Sequence, residues 1–329
     1  MSFKCIGFLM TAAALFVSGC GGSRDNGEAS KGAESAKPTH KLVVGFAQTG
    51  AESAWRAANT NSMKSEAEKR GIELKFADGQ GKQENQIRAL RSFVAQGVDA
   101  IVVAPIVETG WDPVLREAKR AGIPVVIMDR KVQTEDESLY ACFIGSDFYK
   151  EGALAAEWLA KNANGKTKIV ELQGTPGSAA ANERRKAFGD AIAANSSFKI
   201  IDSQSGDFRR SGGKEVMEAF IKKHGREIEI VYAHNDDMAL GAVQAIEEAG
   251  LKPGTDIIIV SIDAIKEGVQ AVVDGKINVV VECNPLFGPK IYDTIAKLKA
   301  GGTVERSSYN VDEVIDGTNA AALIGQRQY

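Results

Sequence analysis

Glu52, Trp55 and Arg56 bring a carboxylate, an indole and a guanidinium into one short stretch, Val43 to Arg56 (VVGFAQTGAESAWR). Such a group can stack on a small polyhydroxylated molecule and hydrogen-bond its hydroxyls. The plain alternative is a surface loop whose Trp55 packs back on its own helix. Further along stand Asp129 and Arg130, Arg184, Asn235 and Asp263. Carboxylates and amides accept hydrogen bonds, charge-assisted pairs are about twice as strong as neutral ones, and Arg offers a planar fork. Acids and arginines nearly balance in this set, which favours a neutral ligand bearing hydroxyls over a phosphate or a dicarboxylate. Each residue also has a structural reading. Asp129 and Arg130 can pair with each other, and Asp236 or Asp237 can serve only to start a helix. Arg185 and Lys186 read as solvated, Trp158 as core, and Trp111 is open between the two.

These residues matter together only if the fold brings them to one edge. The sequence predicts strands near 41–46, 72–77, 99–103, 124–128 and 140–144, then near 167–172, 198–203, 228–232, 257–261 and 278–282. Their Ile/Val-rich runs are continuous rather than alternating, as in strands covered on both faces. A charged helix ending in Gly before an apolar run recurs at EAEKRGIELKFAD (66–78), EAKRAGIPVVIMD (117–129) and IEEAGLKPGTDIIIVSID (246–263). Gly71, Gly122 and Gly250 read there as left-handed helix stops. Repeated strand–helix–strand units predict an α/β fold of two similar doubly wound parallel-sheet lobes, since ten strands are too many for one twisted sheet. The lobes join near Ser146–Tyr149. A helix near 288–300 and a polar tail complete the chain. Every candidate residue then follows a strand, at the carboxyl edge where ligands bind in such sheets.

At the N-terminus, Lys4 precedes an apolar run from Ile6 to Val17 that is too short to span a membrane. Residues 1–19 read as a signal peptide. Val17-Ser18-Gly19-Cys20 resembles a bacterial lipobox, which implies cleavage before Cys20 and lipid on its thiol, with a plain secretory signal as the alternative. Residues 20–40 are small and charged and read as a flexible tether. The whole chain has a formal charge of −3 and no basic stripe, which argues against nucleic acid as a partner. Cys142 and Cys283 lie in apolar runs and read as buried thiols rather than a disulfide. The only histidines are His40, His224 and His234, so no metal-ligand spacing exists. No cofactor is expected: Gly174-Thr175-Pro176-Gly177 lacks the rest of a P-loop, and neither a G-x-S-x-G elbow nor a dinucleotide fingerprint is present.

Val43–Trp55, Asp129-Arg130, Gly174–Arg184, Tyr232–Met238 and Ser261–Asp263 resemble the ribose/galactose class of solute-binding proteins that serve bacterial ABC importers. The likeness spans about residues 41–329. Ala51–Arg56, Ser65–Gly71, Lys82–Ile101, Glu171–Thr175, Ser203–Phe208 and Tyr232–Met238 are similar to the galactofuranose-binding branch of that class. It implies the type I periplasmic binding protein-like fold, with a hinge of three crossovers near 146–149, 281–285 and 308–312. Lobe 1 is then 41–147 plus about 285–310, and lobe 2 is 148–284 plus about 311–329. It also implies ligand contacts from Glu52, Trp55, Arg56, Asp129, Arg130, Arg184, Asn235 and Asp263. Ribose binders usually carry Asn-Pro-Phe-Phe-like residues where Glu52 to Arg56 stand, which disfavours ribose. Cys283 replaces a usual Gln, so a polar contact there is not expected.

The expectation is a monomeric, non-enzymatic, exported lipoprotein that closes its hinge on a neutral monosaccharide and delivers it to an importer permease. Two other readings stay open on the same residues. One is a sensor presenting sugar to a membrane receptor; the other is a secreted hydrolase using His234 with Asp236 or Asp237.

Overall fold

The structure, a computed structural model, describes residues 41–194 and 197–329. The expected signal peptide 1–19, lipidation site Cys20 and tether 20–40 lie outside the described residues. Two six-stranded sheets organise the rest. The first contains β1 (Val43–Gln48), β2 (Glu73–Asp78), β3 (Ala100–Val103), β4 (Val125–Met128) and β5 (Cys142–Gly145). Helices α1 (Ala54–Lys69), α2 (Gln83–Gln96) and α3 (Asp112–Arg120) connect its first four strands. The second contains β6 (Lys168–Gln173), β7 (Lys199–Ser205), β8 (Ile230–Ala233), β9 (Ile258–Asp263) and β10 (Val279–Glu282). Here α4 (Phe148–Asn162) leads into β6, and α5 (Ala179–Ala193), α6 (Arg210–His224), α7 (Asp236–Glu248) and α8 (Lys266–Val273) join the strands. After α9 (Gly288–Lys299) come β11 (Ser307–Tyr309), β12 (Val314–Asp316) and α10 (Ala320–Leu323).

The strand orders are β11-β5-β4-β3-β1-β2 and β12-β10-β9-β8-β6-β7. Pairing is parallel throughout except for β12, which runs antiparallel to β10. Central strands β3, β4, β8 and β10 are buried along their whole length, as their unbroken apolar sequences require. Gly71, Gly122 and Gly250 hold φ of 68°, 70° and 73° just past α1, α3 and α7, a conformation that costs glycine nothing.

All ten expected strands are present, but each sheet has a sixth that the tail was not expected to supply. β11 sits beside β5 and β12 beside β10, so the polar tail contributes one strand to each sheet. Helix α9 packs on α1 of the first sheet, with Tyr292 Oη donating to the Met63 carbonyl at 3.0 Å. The chain therefore passes between the sheets after β5, after β10 and between β11 and β12. The three passages are bonded side by side: Ser146 Oγ donates to Asp312 Oδ1 at 3.4 Å and Asn310 Nδ2 to the Asn284 carbonyl at 3.2 Å. Trp111 is fully buried core, its indole N–H on the Val107 carbonyl at 2.7 Å. Trp158 is only partly buried against the core and donates to Asp316 Oδ2 at 2.8 Å. Cys142 and Cys283 are buried free thiols.

Candidate functional site

In each sheet the strand order reverses at one point, between β1 and β3 and between β6 and β8. Chains leave in opposite directions there and open a crevice at the carboxyl edge. Helices α1, α5 and α7 all start at these edges. Each is capped: Ser53 accepts from the Arg56 N–H at 3.1 Å, Ser178 from Ala181 at 3.3 Å and Asn235 from Met238 at 3.1 Å. Caps of this kind satisfy amides that the helix cannot, which fixes the loops in front of them.

One cavity lies between the two edges. Its lining includes all eight sequence-selected residues: Glu52, Trp55, Arg56, Asp129 and Arg130 from the first sheet, and Arg184, Asn235 and Asp263 from the second. Phe148, Phe208 and Cys283 also line it. The sequence did not point to the two phenylalanines, which stand among polar neighbours in Ser-Asp-Phe148-Tyr-Lys and Gly-Asp-Phe208-Arg-Arg.

Arg56 organises the first half. Its Nη2 lies 2.7 Å from Asp129 Oδ2 and its Nε 3.1 Å from Glu52 Oε1, while its Nη1 is buried without a hydrogen-bond partner. Asp129 thus pairs mainly with Arg56; the Arg130 Nε is 3.8 Å away. Arg130 is loosely held, with Nη2 3.5 Å from Glu52 Oε1 and Nη1 3.5 Å from the Ile106 carbonyl. Trp55 donates its indole N–H to the Cys283 carbonyl at 2.5 Å, and the Arg56 guanidinium lies over its ring, 4.6 Å from the centroid.

Arg184 organises the second half. Its Nε lies 2.8 Å from Glu151 Oε2, its Nη2 3.4 Å from Asp263 Oδ1, and its Nη1 donates to the His234 carbonyl. Glu151 is fully buried behind it on α4. Asn235 was expected to bind rather than cap. It does cap α7, and its Nδ2 donates to the Phe208 carbonyl at 3.1 Å. Asp236 does not cap: it accepts from Ser261 Oγ at 2.6 Å and the Ile265 N–H at 2.9 Å.

Burial sets the electrostatics. It works against the charge of Glu52, but Arg56 and Arg130 hold that carboxyl below its usual value. Arg130 is lowered to about 10 by burial and by the nearby Arg56. Arg184 is raised, as Glu151 and Asp263 outweigh its burial. Burial pushes Asp263 well above the ordinary carboxyl range against the pull of Arg184. Strain collects here too: Asp129, Phe208 and Asp263 have φ of 65°, 60° and 125°. Non-glycine residues pay about 1–3 kcal/mol each for such backbone, which persists where the surroundings over-determine it, often at functional sites.

His234, which a hydrolytic reading needs as its base, is fully buried and is not among the cavity-lining residues. Its Nδ1 accepts from the Gly174 N–H at 3.3 Å, which leaves Nε2 to donate to Glu171 Oε1 at 3.1 Å. Burial lowers its pKa below the usual imidazole value. Arg185 and Lys186 are exposed as expected. Among the described residues no group of side chains could hold a metal ion, and no helix is long and apolar enough to cross a membrane.

The chain is similar to known proteins in sequence and in structure. Residues 44–303 match a family described as the periplasmic binding protein domain. The galactofuranose-binding protein YtfQ of Escherichia coli K12 is 57% identical over 266 residues, 80% of this chain and 84% of that protein. Among solved structures, a galactofuranose binding protein superposes with a TM-score of 0.86 at 52% identity, covering 87% of this chain and 98% of the other. The binding component of an arabinose ABC transporter from Shewanella sp. ANA-3, bound to α- and β-L-arabinofuranose, gives 0.85 at 49% identity, with 87% and 96% covered.

Proposed function

The chain belongs to the periplasmic binding protein family, and from that premise we propose that it captures a neutral sugar in furanose form, galactofuranose or a close relative, for an ABC importer. The observation that carries this reading is the cavity itself, enclosed by arginines and carboxylates in near balance from both sheets. A hydroxyl can both donate and accept, so it suits such a mixed lining better than an anion does. Arg56 Nη1, buried and unpartnered, offers a donor that a sugar oxygen would satisfy. The Trp55 and Phe208 rings supply apolar faces for the C–H side of the sugar. The furanose preference follows the ligands named for the two sugar-binding relatives.

The eight residues are the proposed ligand contacts. Lobe 1 is residues 41–147 with about 285–310, lobe 2 is 148–284 with about 311–329, and the three bonded passages form the hinge. A sugar touching both lobes favours the closed state because it gains contacts there that the open state lacks. Export, lipid attachment at Cys20 and a monomeric carrier that docks its closed form on the permease complete the reading.

The test is a sugar panel in thermal unfolding. A ligand at 100 times its Kd stabilises by about 2.7 kcal/mol. D-galactose, L-arabinose or a furanoside should raise the melting temperature of the wild type. Trp55→Ala and Asp263→Ala should fold and lose that rise. An unchanged rise in both variants refutes the site.

A further inference from the structure

Beside the cavity just described, a second space of about 860 Å3 opens from the same cleft to solvent. Glu52 and Arg130 line both spaces, so their contact is the partition. At 3.5 Å it is a long ion pair, and the other side-chain contacts of Arg130 are no tighter, at 3.5 and 3.8 Å. The outer walls again come from both sheets, with Thr49 and Gln80 on one side and Thr175, Asp207 and Arg209 on the other. Two carboxylates, Glu52 and Asp207, face two guanidiniums, Arg130 and Arg209, so the lining repeats the balance of the inner cavity.

The outer side chains have spare hydrogen-bonding capacity. Among the described residues neither the side-chain amide of Gln80 nor the Arg209 guanidinium makes a hydrogen bond or ion pair; Gln80 is engaged through its backbone N–H, which donates to Asp78 Oδ1 at 2.8 Å. One strained turn serves both spaces. Asp207 and Phe208 are consecutive non-glycine residues with φ of 55° and 60°. That turn sends Phe208 to the inner cavity and leaves Asp207 and Arg209 on the outer one. The Phe208 ring lies where a Cβ on Gly174 would stand, 1.9 Å from its nearest atom, so the turn is packed in place.

We propose that the outer space is a subsite for a second glycosyl unit, so that the protein takes a short furanosyl disaccharide as well as the free monosaccharide. The inner ring occupies the cavity of the eight contacts. Its glycosidic bond passes where Glu52 and Arg130 part, and the second ring hydrogen-bonds Gln80 and Arg209 with its far end in solvent. A balanced polar wall open on one side suits a neutral sugar, whereas an aromatic or acidic appendage would leave Asp207 and Glu52 badly matched.

The inference rests on the sugar reading above, and titration calorimetry separates the two. The full chain is titrated with the monosaccharide that performs best in the panel and with a disaccharide bearing that furanosyl unit. The wild type should bind the disaccharide with a Kd within about tenfold of the monosaccharide's. In Gln80→Gly/Arg209→Ala, two exposed positions of which the first relieves a φ of 52°, the disaccharide should weaken at least about fivefold while the monosaccharide stays within about twofold. A wild type that binds the monosaccharide but excludes the disaccharide overturns the subsite and leaves the sugar reading standing. Equal losses for both sugars in the variant overturn it as well. Failure of every sugar on the wild type overturns the sugar reading, and the subsite with it.

Discussion

Replacing Arg184 by Met gives a calculable outcome. Arg184 and Glu151 are 3% and 0% exposed and meet at 2.8 Å, with Asp263 at 3.4 Å on the other side of the guanidinium. Removing the cation leaves two buried carboxylates without their counter-charge. Breaking a buried pair from one side costs about 3–5 kcal/mol, because the abandoned charge remains desolvated. Arg184→Met should therefore lose about that much in urea unfolding at pH 7. Arg184→Met/Glu151→Gln should recover about 2 kcal/mol of it, since the larger orphaned charge is gone. Burial already raises Glu151 above the usual carboxyl value with the arginine present, and without it the shift grows. Glu151 then protonates readily as pH falls, so the gap between single and double variants should narrow at pH 5. Both variants should fail to bind sugar. A single variant as stable as the double at pH 7, or a gap independent of pH, would refute the assignment of Glu151 as the support of Arg184.

Two other perturbations probe the passages and the cleft. Asp312 is raised to about 8 by burial and by Glu151 and Glu282 nearby. The folded state therefore keeps a proton that the unfolded chain releases near pH 4, and this contribution to stability is lost as pH rises from there to about 8. At about 1.4 kcal/mol per pH unit, the stability of Asp312→Asn relative to wild type should improve by about 2–3 kcal/mol between pH 5 and pH 7; parallel profiles in urea unfolding would contradict it. Asp237 accepts from the Ala54 N–H at 2.8 Å, joining α7 to the start of α1 across the cleft, and it also pairs with Arg210 at 3.1 Å. Asp237→Ala should enlarge the radius of gyration of the ligand-free protein in small-angle scattering and weaken sugar binding about tenfold; unchanged scattering and affinity would remove the bond from the account.

The inner strands were legible because parallel strands buried on both faces leave continuous Ile/Val runs, and the partly exposed edge strand β2 was marked by the left-handed stop at Gly71 before it. β11 and β12 were not. Ser307–Tyr309 and Val314–Asp316 are three residues each, and they exist as strands only through pairing with Phe143–Gly145 and Val279–Val281. The candidate contacts were legible because each stands at or after the end of a strand, which places it at a carboxyl edge. What escaped was indirect. Glu151 stands just before the Ala-rich stretch GALAAEWLAKNA (152–163) as an ordinary helical acid, and its partner Arg184 is far away in sequence. Phe208 owes its position to a left-handed turn on non-glycine residues, which no residue type announces. His234 stood out as the one histidine by the cleft, yet its ring points into a network of Glu171, Ser203 and Gln173 behind it.

The central claim is that a neutral sugar, held between the two sheets, is what this protein takes up. Titration calorimetry of the ligand-free wild type with D-galactose, L-arabinose and D-ribose tests it most directly, with heats recorded at several temperatures. The account predicts saturable binding at one site per chain for a sugar that can adopt the furanose form found in the relatives, with ribose weaker and a negative heat-capacity change as the cleft closes over apolar surface. Binding of a phosphorylated or dicarboxylic ligand at that site in place of any neutral sugar would contradict it.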